Sequence, residues 1–135
     1  MTGAYLLILY NPKKQRIRVG RLGMIDFMKG YYFYVGSGMM NLEQRVLRHK
    51  RENKKIKWHI DYITWKFKFI DAKLFQSSKR LECKIAKILS KNLMMVKGFG
   101  CSDCRCKSHL FYSQKYISLD NIINLDMLES NIRGT

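Results

Sequence analysis

Two phenols, a guanidinium, an imidazole and one isolated acid are the residues of this chain best suited to chemistry: Tyr5, Tyr34, Arg45, His49 and Glu82. Hydrolysing a phosphodiester needs a base for the attacking water, a cation for the charge growing on the phosphoryl oxygens, and support for the departing oxygen. A phenol can serve as the base if positive charge is near. Ionising an unperturbed phenol at pH 7 costs about 4 kcal/mol, and neighbouring cations lower that cost. Arg45 and His49 are four apart, so on a helix they lie one above the other beside Leu42 and Val46. Glu82 is an acid in a strongly basic chain and sits next to an apolar stripe. One carboxylate with several waters is enough to hold Mg²⁺. Each residue also has a plainer reading: Tyr5 as an aromatic filling a sheet face, Arg45 and His49 as a solvated basic face, Glu82 as a surface partner of Lys79 or Lys87.

A second constellation is Cys101-x-x-Cys104-x-Cys106-x-x-His109. Four soft or borderline ligands so close together are compatible with Zn²⁺, but zinc fingers separate two ligand pairs by a longer segment. Buried, inert thiols are the alternative, and Asp103, Arg105 and His109 are candidates to line a substrate groove instead. Cys83 reads as core. His59 and Asp61, in Trp58-His59-Ile60-Asp61-Tyr62, suit either a site rim or a hydrogen-bonded turn. Gly36-Ser37-Gly38 lacks the Lys-Thr of a phosphate loop and needs only turn flexibility to explain it.

The elements that position these groups form an α+β pattern, a small and mainly antiparallel sheet flanked by helices. Tyr5–Tyr10 is an apolar run ending at Asn11-Pro12-Lys13-Lys14. Ile17 and Val19 then alternate with Arg16 and Arg18, as in a hairpin. Met24–Met28 adds a short strand. Tyr31–Val35, aromatic and β-branched, predicts a central one. Asn41 caps a helix with Gln44 reaching back, Glu43 at its positive end and Arg48, Lys50 and Arg51 at its negative end. Trp58–Trp65 predicts one or two helical turns, and Lys66–Phe69 starts a strand running to Leu74 or Phe75. A second helix starts at Ser77 or Ser78 with the stripe Leu81, Ile85, Ile88, Leu89. A Gly- and Cys-rich loop from Lys97 to Lys107, a strand at Leu110–Tyr112 and an amphipathic helix from Leu119 to Ser130 complete the chain.

The chain has 135 residues, one domain by length, with 26 Lys and Arg against 10 Asp and Glu, a formal charge of +16. Such a charge opposes compaction unless a polyanion shares the surface, which makes nucleic acid the expected partner. DNA leads, with RNA left open. Arg45, Arg48, Lys50, Arg51, Lys54, Lys55 and Lys57 stand against Glu52 alone, so this stripe is the expected phosphate grip. No apolar run approaches the roughly 20 residues of a spanning helix, no signal peptide is visible at Met1, and the cysteines do not form a secreted framework. A cytoplasmic location without membrane partners is expected. The acidic tail carries Leu119, Ile122 and Ile123, a candidate surface for a protein partner.

Several of these pieces, in this order, resemble the GIY-YIG nuclease superfamily. They are Gly3-Ala4-Tyr5, Tyr31 through Ser37, Arg45-x-x-x-His49, Trp58 through Tyr62, Arg80-Leu81-Glu82 and Gly98 through Leu110. Within that superfamily the likeness is to a small, mostly archaeal domain of unassigned function, sometimes fused to an endonuclease III module. Ala4 stands where the family usually has Ile, and the two tyrosine motifs are farther apart than is typical. The resemblance implies a nuclease domain over residues 1–113, with 114–135 as a tail. It further implies Tyr5 as general base beside Tyr34, Arg45 on the scissile phosphate with His49 assisting, and Glu82 on Mg²⁺ or Mn²⁺. The implied activity is a DNA endonuclease or nickase, and the fusion partner hints at DNA repair. The alternative is a silent nucleic-acid-binding module of the same fold.

Overall fold

The computed structural model describes residues 3–37, 59–76, 81–100 and 107–122. Within them the chain forms strands β1 (Gly3–Asn11), β2 (Gln15–Arg18), β3 (Met24–Phe27) and β4 (Gly30–Ser37), a short helix α1 (Asp61–Thr64), and strand β5 (Lys68–Gln76). Helix α2 (Glu82–Ser90), strands β6 (Met94–Met95) and β7 (Leu110–Ser113), and the turn-long α3 (Leu119–Ile122) follow. The expected α+β class is what the chain adopts. Five strands make one sheet in the order β5-β1-β4-β7-β6, antiparallel at every pairing, and β2 and β3 pair apart from it.

β1 is apolar at consecutive positions because both of its faces are covered. Ala4, Leu6 and Ile8 join Phe33, Val35 and Phe111 in one core with Leu81, just before α2, and the α2 residues Ile85, Ile88 and Leu89. Tyr5, Leu7 and Leu9 point the other way, into a core with Tyr32, Tyr34, Phe67, Phe99 and residues of the β2–β3 hairpin and α1. The two-residue period of the strand thus divides the molecule into an α2 face and a hairpin face. β4 is central, as its aromatic and β-branched content predicts, and the predicted α2 stripe is buried throughout.

One pairing differs from the expectation. β1 does not fold back on β2; it pairs with β4 from Ala4↔Ser37 to Asn11↔Gly30 and with β5 on its other side. Asn11 decides this. Its buried side-chain amide donates to the carbonyls of Phe27 at 3.1 Å and Met28 at 3.0 Å, and Gln15 Nε2 donates to its Oδ1 at 2.6 Å. The Asn11–Lys14 turn is therefore stitched to the far end of β3, and β2 pairs with β3 alone. Tyr32 adds to the same junction, donating to the Met28 carbonyl at 2.8 Å. Burial, with the Tyr112 phenol beside it, holds this hydroxyl well above the ordinary phenol range, so it serves as a neutral donor.

β6 escaped the sequence reading because two residues give no period. Cys83 is half-buried and not a core residue; α2 turns it toward a groove instead of the sheet. The predicted Asn41-capped helix, the start of a helix at Ser77 or Ser78 and the tail helix beyond Ile122 lie outside the described residues. Asn11→Ala would remove the side-chain donor of the buried Phe27 carbonyl and one of the two donors to Met28, which keeps the Tyr32 hydroxyl. It is expected to lower unfolding stability by about 1–3 kcal/mol, read from urea unfolding, while Lys14→Ala, at an exposed position, leaves the midpoint unchanged.

Candidate active site

The sheet register brings Tyr5 and Tyr34 to the same end of the hairpin face. Tyr5 is opposite Gly36 on β4, Tyr34 is two residues before that glycine, and the two rings stand 6.3 Å apart at 50°. Gly36 is what permits this. A Cβ there would lie 2.1 Å from Tyr5 Cζ and 2.3 Å from its hydroxyl, so the phenol lies across the bare backbone of β4. The requirement is for space and not for an unusual backbone. Tyr5 is 1% and Tyr34 8% exposed.

Next to the phenols is a corner built by Gly98-Phe99-Gly100. Both glycines have left-handed φ, 79° and 73°, a conformation that side chains disfavour. The two bends turn Phe99 inward until it is fully buried, edge-on to Tyr34 and to His59 at ring distances of 6.2 and 5.5 Å. The Gly100 N–H donates to His59 Nδ1 at 2.9 Å. His59 therefore serves the corner as an acceptor, the hydrogen-bonded role, and not as a group on an open rim. Burial pushes its pKa below the ordinary histidine value, which matches an unprotonated Nδ1. Asp61, at the start of α1, is fully buried.

His109 closes the other side of Gly100. The main chain of His109 is clamped on both sides: its N–H donates to the Phe99 carbonyl at 2.9 Å, and its carbonyl accepts the Val35 N–H at 2.9 Å. A Cβ on Gly100 would lie 3.4 Å from both His109 Cβ and Tyr34 Cε1, so His109 and the Tyr34 phenol flank the same glycine. Burial lowers the His109 pKa, while the Glu82 carboxylate and a hydrogen bond to the Val35 backbone pull it upward. Glu82 is the first residue of α2 and only 4% exposed. Its expected alternative, an open surface pair with Lys79 or Lys87, is overturned by that burial. The helix's positive end supports a carboxylate there. Every described Lys and Arg is at least partly exposed, whereas Glu82 and Asp61 are buried acids. Keeping carboxylates out of water costs several kcal/mol each unless neighbours compensate.

The phenols and the carboxylate belong to elements on opposite faces of the sheet. They are linked around its end through Tyr34, Gly100, His109 and Glu82. Ser37, opposite Ala4 at this same end, has a buried hydroxyl with no hydrogen-bond partner. Arg45 and His49, the basic residues Arg48, Lys50, Arg51, Lys54, Lys55 and Lys57, the cysteines Cys101, Cys104 and Cys106, Ile123, and the side chains of Leu119 and Ile122 lie outside the described residues. Among the described residues no group of three or more His, Cys, Asp or Glu side chains forms a metal cluster, and no helix is long and apolar enough to cross a membrane. Sequence reasoning missed Gly36 and Gly100 as contact surfaces; Tyr5 and Tyr34 carried no sign of which backbone they would cover.

Fold and site together define a small α+β domain that holds two phenols, two low-pKa histidines and a buried acid around one end of an antiparallel sheet. The chain belongs to the family described as Domain of unknown function DUF123, whose model matches residues 4–131. No curated protein and no solved structure matches it.

Two outcomes are expected. Gly36→Ala destabilises the fold by about 1–3 kcal/mol through overpacking against Tyr5. In a Tyr5→Ala background the same change costs less, a coupling read by a double-mutant cycle in urea. For pH, a folded-state histidine pKa below the unfolded value means that the unfolded chain binds more protons, so stability rises with pH. The contribution of His59 and His109 is complete above the unfolded value near 6.5 and is lost as pH falls through the folded values. The thermal midpoint should drop from pH 7 to pH 5, and His59→Asn, which keeps an acceptor for Gly100 but cannot titrate, should flatten the drop.

Proposed function

We propose that the protein is a divalent-metal-dependent endonuclease or nickase that hydrolyses phosphodiester bonds in DNA. The observation that carries this reading is Glu82: a carboxylate 4% exposed, in a chain of charge +16, on the α2 face beside His109, around the sheet end from the two phenols of the hairpin face. A purely structural role does not require an acid at this point of α2. The fit to a hard cation rests on the carboxylate of Glu82, with the buried, unpartnered Ser37 hydroxyl at the same end as a further oxygen. Mg²⁺ or Mn²⁺ bound there would supply charge neutralisation at the phosphoryl oxygens. Tyr5, held over Gly36, acts as its phenolate, stabilised by the neighbouring cations, and takes the proton of the attacking water to become the neutral phenol, while Tyr34 orients that water or the phosphate beside it. Neutral His109 fixes the carboxylate. Arg45 and His49 grip the scissile phosphate, and the basic stripe through Lys57 holds its neighbours. The resemblance to GIY-YIG nucleases supports the same assignment of roles, and a cytoplasmic setting with a role in DNA repair goes with it.

A second reading has its own observation. Tyr5 is 1% exposed, which suits a packing residue in a binding module that grips nucleic acid without cutting it. Zn²⁺ on Cys101, Cys104, Cys106 and His109 would belong to such a module as a structural ion.

Supercoiled plasmid incubated with the protein and Mg²⁺ or Mn²⁺ separates the readings. Nicking is expected from the wild type. Glu82→Gln, Arg45→Ala and Tyr5→Phe should each reduce it by about a hundredfold or more, with plasmid binding by Glu82→Gln retained. Binding without nicking by the wild type would leave only the second reading.

A further inference from the structure

A groove of about 390 Å³ runs between α2 and the β6–β7 edge of the sheet, on the α2 face. Cys83, Ala86, Lys87, Met95, Lys107 and Phe111 line it. Ala86 and Phe111 are buried and form its depth. Lys87 and Lys107 are exposed at its mouth, and none of the described residues that line it is acidic. The hydroxyl of Ser108 is already engaged, donating to the Val96 carbonyl at 2.5 Å and accepting the Leu110 N–H at 3.0 Å, so the interior offers an apolar slot and not a polar one. The volume lies within the roughly 300–1,000 Å³ of pockets that take small organic groups. The groove also adjoins the candidate site: Cys83 follows Glu82 on α2, and Lys107 is two residues before His109.

The geometry points to this groove as the seat of one unstacked nucleobase, with the phosphates on either side of it held by Lys87 and Lys107. An aromatic floor with cations at the rim is how sequence-tolerant single-strand sites are built: the base loses water against apolar side chains and the backbone is neutralised outside. Charge complementarity selects this occupant. An apolar peptide side chain would fill the slot equally well, but it gains nothing from two lysines on a chain already at +16. The inference rests on the reading of the protein as one that handles nucleic acid. It adds to that reading a direction for the strand: from the phenols on the hairpin face, past Glu82 and His109 at the sheet end, to a base lodged on the α2 face.

Methyl NMR spectra of the full chain in EDTA test this, with a short oligothymidylate and an abasic strand of the same phosphate count as probes. The oligothymidylate should shift the Met95 and Ala86 methyl resonances by ring currents, and the abasic strand should not. The abasic strand should also bind roughly five- to a hundredfold more weakly. Lys87→Ala and Lys107→Ala should weaken both strands alike. Ala86→Leu, which narrows the slot, should erase the preference for the strand with bases; Met95→Ala, at a partly exposed position, should reduce it without endangering the fold. Equal affinity for both strands with unmoved methyls would overturn the assignment. So would methyl shifts produced by a hydrophobic peptide and by neither strand, which would give the groove to a protein partner. Because no metal is present, nicking is a separate result. A protein that prefers bases but never nicks keeps the groove and loses the nuclease, and one that nicks without the preference does the reverse.

Discussion

The burial of β1 on both faces is the constraint from which the rest of the molecule follows. A strand with a neighbour on each side and a core above and below must be apolar at nearly every position, and Ala4 to Leu9 are at most 1% exposed. Its alternation then assigns every partner strand residue to one of two cores. Tyr5 and Tyr34 go to the hairpin face, Leu6, Val35 and α2 to the other. A slip of one residue between β1 and β4 would exchange the two sets, and Gly36 would no longer lie under the Tyr5 ring. The narrow fit of phenol over glycine and the pairing register are one requirement expressed twice.

Charge is arranged against the usual economy of a basic protein. The described cations stay at the surface, one of them, Lys73, meeting Asp120 of α3 at 3.4 Å, while two of the few acids are withdrawn into the interior. An exposed pair such as Lys73–Asp120 contributes little to stability. The buried Glu82 is different in kind, because its desolvation must be offset by what surrounds it: the positive end of α2 and the His109 imidazole, whose proton affinity it raises. Two glycines with left-handed φ, Gly98 and Gly100, shape the backbone beside the sheet end that holds this acid. Irregular backbone and a costly charge share one location there, as they do where a fold is built around a task.

Much of the architecture was legible in the residues. β-Branched and aromatic density at Tyr31–Val35 and the spacing of Leu81, Ile85, Ile88 and Leu89 are local signals whose elements formed where they were expected, while the strand expected from Lys66 starts at Lys68, with Lys66 and Phe67 in the turn before it. The candidate site was legible in part. Tyr5 and Tyr34 come together on the hairpin face, whereas Glu82 belongs to α2 on the other face, and the route between them runs around the sheet end through His109 and Gly100. His59, readable as a rim residue or as a hydrogen-bonded turn residue, is the second, an acceptor for the Gly100 backbone.

By itself the sequence determined where the longer described strands and the α2 helix lie and which of their faces are apolar, because periodicity is a property of neighbours along the chain. Only the tertiary structure decided that β1 pairs with β4 and β5 and not with β2, that Glu82 is buried, and that Tyr5 rests on Gly36. Those outcomes join residues far apart in sequence through the complementary fit of side chains and the hydrogen bonds of one amide, Asn11. No local pattern records which distant backbone such groups will meet.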